Sequence, residues 1–374
     1  MDVIEVAASA GAGRRRPLAN PLTPDVLVDP VELTRALVDI ESVSRNEQRI
    51  ADCVEQVLRE LPHLSVERFG HTIMARTDLG REQRVVLAGH LDTVPINDNF
   101  PSTVVDDLIY GCGTSDMKSG VALALHLAAT LPDPRFDLTY FFYEAEEIEA
   151  KYNGLKLVGD AHPEWLAADF AVLLEPTYGV VEAGCQGTLR VMVRTTGRRA
   201  HSARSWRGVN AIHAAGEALN RLEAYTPRTV TIDGCTYREG LNAVRIAGGV
   251  AGNVVPDACE VELNFRFAPD RSEKEALAHV QEVFEGFDLE LTDSAPGALP
   301  GLTAAPAREF IAAVGAEPAA KLGWTDVARF AALGIPALNY GPGDPLLAHA
   351  PDEHVEIGKI RDGAATLHRW LGKD

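Results

Sequence analysis

The chain has 374 residues, a length that suits two or three domains, and 46% of them are hydrophobic, enough to bury extended sheets. Its formal net charge of -19 disfavours nucleic acid and anionic membrane as partners, and no apolar run approaches the length that spans a bilayer. Five scattered cysteines (Cys53, Cys112, Cys185, Cys235, Cys259), odd in number and never in C-x-x-C spacing, argue against a disulfide framework or a structural zinc finger and read as buried or free thiols in a reducing compartment.

Residues 1–25 are rich in Ala, Gly and Pro and carry Arg14, Arg15 and Arg16 with no apolar stretch behind them. They read as a flexible tail rather than a secretory signal, so the cytoplasm is the expected location. Apolar residues at helical spacing predict a helix from Pro30 to Ile40, starting after Asp29, and a second over about 47–60. Short strands follow at 65–69 and 72–76. Arg84–Ala88 is a continuous β-branched and apolar run, the pattern of a central strand covered on both faces. An apolar helix at 119–131, a buried strand at 138–143, a helical stretch at 155–158 and another buried strand at 170–174 complete an alternation typical of a layered α/β domain with a largely parallel sheet.

The pattern changes near Gly184. Strands at 189–195, 241–248 and 259–267 and helices at 209–224 and 273–287 predict a small α+β unit with one sheet and two helices. After a Pro/Gly-rich stretch at 295–300 the α/β style returns, with a helix at 304–314, a strand at 335–338 and a closing helix at 358–371. The expected organisation is a helix-flanked, mostly parallel-sheet catalytic domain in two parts, 26–186 and 296–374, interrupted by an inserted α+β lid domain at 187–295.

Ligands in open α/β sheets bind beyond the carboxyl ends of the strands. AGHLDTVP puts His90 and Asp92 at such an end, an H-x-D pair in which a carboxylate can fix the tautomer of a metal-ligating imidazole. GCGTSDMKSG puts Asp116 in a turn before an apolar helix, where by itself it would read as a helix cap. YEAEEIEA carries Glu146 and Glu147 past the next buried strand, and LLEP carries Glu175 past another. A single charge run is usually a solvated face. Three buried strands that each end on a histidine or a carboxylate, with a further aspartate on a turn, point instead to a hard or borderline cation such as zinc, cobalt or manganese. A second histidine comes from GPGDPLLAHAPDEHV, where His349 is preferred and His354 competes. The residues between Glu175 and His349 must leave the site and return, which independently supports an insertion.

In order and spacing these motifs resemble the zinc aminoacylase and carboxypeptidase clan of amidohydrolases, from about residue 26 to the end. YREGLN (237–242), GNVVPD (252–257), NFRFAPD (264–270) and GPGDPLLAH (341–349) are most similar to the actinobacterial branch of the succinyl-diaminopimelate desuccinylases. The resemblance implies two divalent metals, zinc with cobalt as an alternative. Asp116 would bridge them, His90 and Glu175 would hold one, and Glu147 and His349 the other. Glu146 would be the general base, and the Asp116–Met117 peptide bond would be cis. It implies a homodimer formed through the inserted domain, with His201 in RRAHSAR reaching the partner's site to bind the oxyanion. Asn253, Arg266 and Thr325 would contact substrate carboxylates. The expected reaction is hydrolysis of N-succinyl-LL-diaminopimelate to succinate and LL-diaminopimelate, in lysine and diaminopimelate biosynthesis. An acetylornithine deacetylase or carboxypeptidase would share the ligand set, and a catalytically silent binding protein would be expected to lack Glu146 or a ligand. A nucleotide-binding protein would need a phosphate loop that is absent. GCQGTL and GPGDPLLAH depart from better-known bacterial relatives, which carry an arginine and an asparagine there.

Overall fold

The computed structural model describes residues 19–373. Most of the stretch read as a tail lies outside the described residues, but its last part is packed: Leu22 is buried and Asn20 donates to the Cys53 carbonyl.

After a single helical turn at Pro24–Leu27 come helices Pro30–Val38 (α1), capped by the Asp29 carboxylate on Val31 and Glu32 N–H, and Gln48–Arg59 (α2). Strands Ser65–Phe69 (β1), Thr72–Arg76 (β2) and Arg84–His90 (β3) follow. Then come helix Ser119–Thr130 (α3), strand Asp137–Tyr143 (β4), helix Gly154–Ala161 (α4) and strands Phe170–Leu173 (β5) and Glu182–Ala183 (β6). The next segment contributes Gly187–Thr196 (β7), Ala211–Ala224 (α5), Gly240–Gly248 (β8), Ala258–Phe267 (β9), Glu273–Val283 (α6) and Asp288–Ala295 (β10). Ala305–Val314 (α7), Ala319–Ala320 (β11), Ala337–Asn339 (β12) and Ile357–Leu371 (α8) close the chain.

Eight strands form one sheet in the order β1-β2-β4-β3-β5-β12-β6-β11, and its four central strands β4, β3, β5 and β12 are parallel. The unbroken apolar runs are explained by what each face meets. Val85 and Leu87 of β3 enter one core with Leu138, Tyr140 and Val172; Val86 and Ala88 enter the opposite core with Phe141 and Leu173. Helix α3 is buried on nearly all sides, which is why its sequence shows little polar periodicity. The fold is thus α/β, with a mostly parallel central sheet flanked by helices.

A second, four-stranded antiparallel sheet has the order β8-β9-β7-β10. Alternate residues of β9 (Val261, Leu263, Phe265) pack with Ala211, Ala215 and Ala218 of α5 and Ala276 and Val280 of α6. Strand β10 has no counterpart in the sequence reading, which extends the preceding helix to 287. Its exposed, acidic edge segment DLELTDSA offers only two leucines to set a period, and the helix stops at Val283 before a turn with Gly286 at φ 91. The three-stranded sheet of Thr103–Val105, Leu108–Tyr110 and His354–Glu356 also escaped the reading, because its strands are only 3 residues each.

Candidate metal centre

The parallel strands run out along one edge of the large sheet. His90 is the last residue of β3, Glu146 and Glu147 follow β4, Glu175 follows β5, and the segment to His349 follows β12. After β4, Ala145 takes φ 58, a left-handed conformation uncommon for a residue with a side chain. The turn points the Glu146 and Glu147 N–H groups at the buried Asp92 carboxylate, at 3.0 and 3.2 Å. The Ser44 hydroxyl donates to the same carboxylate at 2.7 Å.

This changes the expected role of Asp92. The nearer acceptor for His90 Nδ1 is the Asp92 backbone carbonyl at 3.0 Å, while the carboxylate, engaged with Ser44, Glu146 and Glu147, stands at 3.5 Å. A carbonyl can only accept, so Nδ1 carries the proton and Nε2 is left to coordinate. Burial pushes the Asp92 carboxyl up, but His90, Ser44 and the Glu146 N–H outweigh it and hold the group below the usual aspartate range.

Donor atoms of His90, Asp116 and Glu175 all lie within 4.8 Å of one another, and so do those of Asp116, Glu147 and His349. Asp116 belongs to both groups: its Oδ1 is 3.1 Å from His90 Nε2, and its Oδ2 is 3.7 Å from His349 Nε2. His349 Nε2 is 3.0 Å from Glu147 Oε1. The Asp116–Met117 peptide bond is cis. His354 is in neither group; its Nδ1 faces the Asp352 carbonyl and its ring lies against Tyr110.

Burial pushes Glu175 up to about 8, with the Asp116 charge adding to the shift. Burial likewise raises Glu146 well above the carboxylate range, helped by the charges of Glu175 and Glu147 against the lowering pull of His90. His349 is raised to about 9, chiefly by its hydrogen bond to Glu147. So many carboxylates in so small a volume need a positive charge among them. Glu175 Oε1 is buried without a hydrogen-bond partner, which is what a ligand oxygen awaiting a cation looks like. With one imidazole and two carboxylates in each group, the residues fit two divalent cations sharing Asp116.

Asp116, Glu147, Glu175 and His349 line the floor of a cleft of about 690 Å³ that Glu146 also lines, with His90 buried behind them. Arg266 and Thr325 line it too, and the Thr325 hydroxyl donates to Asn339 Oδ1 at 2.9 Å. His201 and Asn253 are elsewhere. His201 is exposed in a separate hollow with Arg198, Arg199, Arg204, Trp206 and Arg207, and the Asn253 carbonyl accepts from Ser202 N–H beside it. His201 Nδ1 accepts from Ala203 N–H at 3.0 Å, so a neutral ring presents Nε2–H outward as a donor.

Three further residues were not singled out from the sequence. Arg190 of β7 lies opposite Asn264 of β9, and both Arg190 and Arg266 line the cleft; among the described residues neither forms an ion pair with a carboxylate. The available signal was an arginine four positions past Gln186, in a strand noted for lacking one. Lys321, buried in the same wall, donates to the Pro176 carbonyl at 2.7 Å and pairs with Glu182 at 2.9 Å. Glu353 accepts three backbone N–H bonds from the loop that carries Asp116. Its signal was an acid beside the two competing histidines, where attention fell on the histidines alone.

Residues 86–373 match the model of peptidase family M20/M25/M40. A Mycobacterium tuberculosis protein assigned as succinyl-diaminopimelate desuccinylase DapE is 58% identical over 351 residues, 93% of this chain and 99% of that one. The succinyl-diaminopimelate desuccinylase of Corynebacterium glutamicum is 52% identical over 360 residues, 93% of this chain and 98% of its own. Among solved structures, a tripeptidase from Staphylococcus aureus superposes with a TM-score of 0.75 at 21% identity, covering 92% of this chain and 97% of that one, a likeness of fold.

Proposed function

The chain belongs to peptidase family M20/M25/M40, and from that premise we propose that it is a metal-dependent succinyl-diaminopimelate desuccinylase. It hydrolyses N-succinyl-LL-diaminopimelate to succinate and LL-diaminopimelate in lysine and diaminopimelate biosynthesis. The observation that carries the reading is the pair of donor groups sharing Asp116 beneath a cleft whose wall carries Arg190 and Arg266.

His90 and Glu175 would hold one cation, Glu147 and His349 the other, and Asp116 both; zinc suits this N/O set, with cobalt as the substitute. Bound divalent cations would supply Lewis acidity, lowering the pKa of the attacking water and polarising the substrate carbonyl. Glu146 takes the proton of the attacking water as oxygen adds to the amide carbon, then passes it to the nitrogen as the C–N bond breaks. Burial, which raises the proton affinity of Glu146, suits a carboxylate that must hold that proton between the two events. The Arg190 and Arg266 guanidinium groups bind substrate carboxylates and so orient the amide, with Thr325 contributing from the same cleft, whereas Asn253, beside His201 and outside that cleft, would act only in the partner's site.

A homodimer is part of this reading. Strand β8 leaves an exposed edge with Val244 and Ile246 uncovered, and His201 lies exposed in a hollow apart from the cleft of its own subunit. His201 Nε2–H then donates to the oxyanion in the partner's site. Among the described residues no helix is long and apolar enough to cross a membrane, and a cytoplasmic location follows from the biosynthetic role.

The test is amine release from N-succinyl-LL-diaminopimelate, N-acetylornithine and a dipeptide, with and without chelator. Chelator-sensitive cleavage of the succinyl substrate alone is expected, and preference for another substrate would overturn the specificity. Glu146→Gln is expected to lose turnover by about 100-fold or more with metal content unchanged, and retained turnover would refute its role as base.

A further inference from the structure

Glu353 is 2% exposed, and among the described residues it has no ion-pair partner. Its carboxyl group is met by backbone instead. Oε2 accepts from Gly113 N–H at 2.9 Å, and Oε1 accepts from Ser115 N–H at 2.8 Å and Asp116 N–H at 3.0 Å. The same stretch is tied twice more: Gly111 N–H donates to the Glu353 carbonyl at 3.0 Å, and the Ser115 hydroxyl donates to the His354 carbonyl at 2.7 Å. On its other side Glu353 is four residues from His349, through turns closed by Glu353 N–H on the Ala350 carbonyl and Ala350 N–H on the Leu347 carbonyl, both at 3.1 Å.

One carboxylate therefore joins the loop that presents Asp116 to the segment that presents His349. These are separate in sequence, and no β-ladder joins their donor residues. We propose that Glu353 is a positioning residue that fixes Asp116 relative to His349 and thereby sets the divalent-cation affinity of the centre, an inference that rests on the metal-dependent reading above. A neutral glutamine cannot replace it. Its oxygen can keep two of the N–H donors, but its amide NH2 then faces the third, donor against donor.

Zinc titration of the apoprotein against a chromophoric chelator tests this on the full chain, beside the cobalt absorption spectrum. Glu353→Gln is expected to bind zinc about 10–100-fold more weakly, as loss of a partner that orients a ligand typically does, with an altered cobalt spectrum. Its turnover is expected to fall at limiting zinc and to recover in excess zinc, a rescue that general loss of folding would not show. Wild-type zinc affinity together with an unchanged cobalt spectrum would overturn the proposal. Should Glu353→Gln fail to fold, Glu353→Asp keeps the charge but shortens the reach, and weaker zinc binding is again the expected result. If the wild-type chain binds zinc and leaves the succinyl substrate uncleaved, the desuccinylase reading fails while the zinc titrations still judge Glu353.

Discussion

Two helical glycines, Gly216 in the middle of α5 and Gly120 in the first turn of α3, should respond in opposite directions to the same substitution. Gly→Ala in a helix normally stabilises by about 1 kcal/mol, through lower backbone entropy in the unfolded chain and a better helix former in the folded one. At Gly216 in α5 a new Cβ meets nothing within 4 Å, so Gly216→Ala should show most of that gain. At Gly120 in α3 the Cβ would stand 2.0 Å from the Leu174 carbonyl oxygen and 2.9 Å from its carbon. Helix or strand end must then retreat by about 1 Å to reach even a 3.0 Å contact. Leu174 is held from the other side by its N–H bond to the Ala88 carbonyl at 2.8 Å, so the displacement cannot be local. Overpacking typically costs about 1–3 kcal/mol, and backbone against backbone belongs at or above the upper end. After the propensity gain is subtracted, Gly120→Ala should destabilise by about 2 kcal/mol. Leu174 precedes Glu175, so zinc affinity should fall with it. Urea midpoints and zinc titrations of both variants test this. Two shifts of the same sign, or a destabilised Gly120→Ala with unchanged zinc affinity, would refute the reasoning.

Asp137 supplies a pH prediction away from the metal centre. Burial raises its carboxyl, but N–H bonds from Leu79 and Arg81 and the Thr77 hydroxyl outweigh it and hold the group below its ordinary value. A folded-state pKa below the unfolded one contributes stability that is present above about pH 3.9 and lost as pH falls through the lower, folded value. Asp137→Asn should lose about 1.5–3 kcal/mol near neutral pH and show a flatter acid limb in Tm against pH; parallel curves would contradict this. Arg190→Gln should raise KM for the succinyl substrate by about 10-fold or more with little change in kcat, and an unchanged KM would remove Arg190 from recognition. Chelation should lower the unfolding free energy, and with it Tm, because the carboxylates around Asp116 lose their compensating charge; the loss is about 2.7 kcal/mol for each site formerly held with ligand at 100 times its Kd. Equal Tm values with and without metal would argue against the centre. Mixing inactive Glu146→Gln and His201→Ala subunits under exchange should restore activity to about a quarter of wild type, since half the dimers are mixed and each holds one complete site. No recovery would place His201 outside the partner's reaction.

The parallel-sheet core was legible because burial on both faces leaves a signature that needs no partner to interpret. VVLA after Arg84, and LTYFFY apart from Thr139, are apolar or aromatic throughout, and the alternate residues of each divide between two cores. What the sequence hid were elements defined by pairing rather than composition. Strand β10 is polar and exposed, and Thr103–Val105 is a strand only because Leu108–Tyr110 lies beside it. In the site, side-chain chemistry was visible and backbone chemistry was not. Histidines and carboxylates at strand ends announce themselves. That the Asp92 carboxylate would face two N–H groups, leaving His90 to the carbonyl, depends on the left-handed turn at Ala145, and alanine gives no hint of it. Glu353 escaped notice for the same reason, since its partners are three amide groups that every sequence contains.

The charges of the cleft explain how such an acidic chain could select an anionic substrate. Its floor gathers Asp116, Glu146, Glu147 and Glu175, which would repel any carboxylate brought near them. The wall gathers Arg190, Arg266, Lys321 and Arg329, but Lys321 is already paired with Glu182 and Arg329 with Asp326. Only the two arginines of the antiparallel sheet stand without a carboxylate partner among the described residues. If Arg190 and Arg266 bind the substrate as proposed, a carboxylate of the substrate lies toward them and its neutral amide over the floor. An acetyl group offers nothing to such a pair, whereas a succinyl group offers a carboxylate. Discrimination between acyl groups would then come from leaving a guanidinium unpaired when the wrong one binds, a penalty larger than that of a missing methylene in an apolar pocket. Arg190 and Arg266 sit on the antiparallel sheet while the metal-ligand candidates follow strands of the parallel one, so on the proposed reading substrate length would be measured between two separately built parts of the chain.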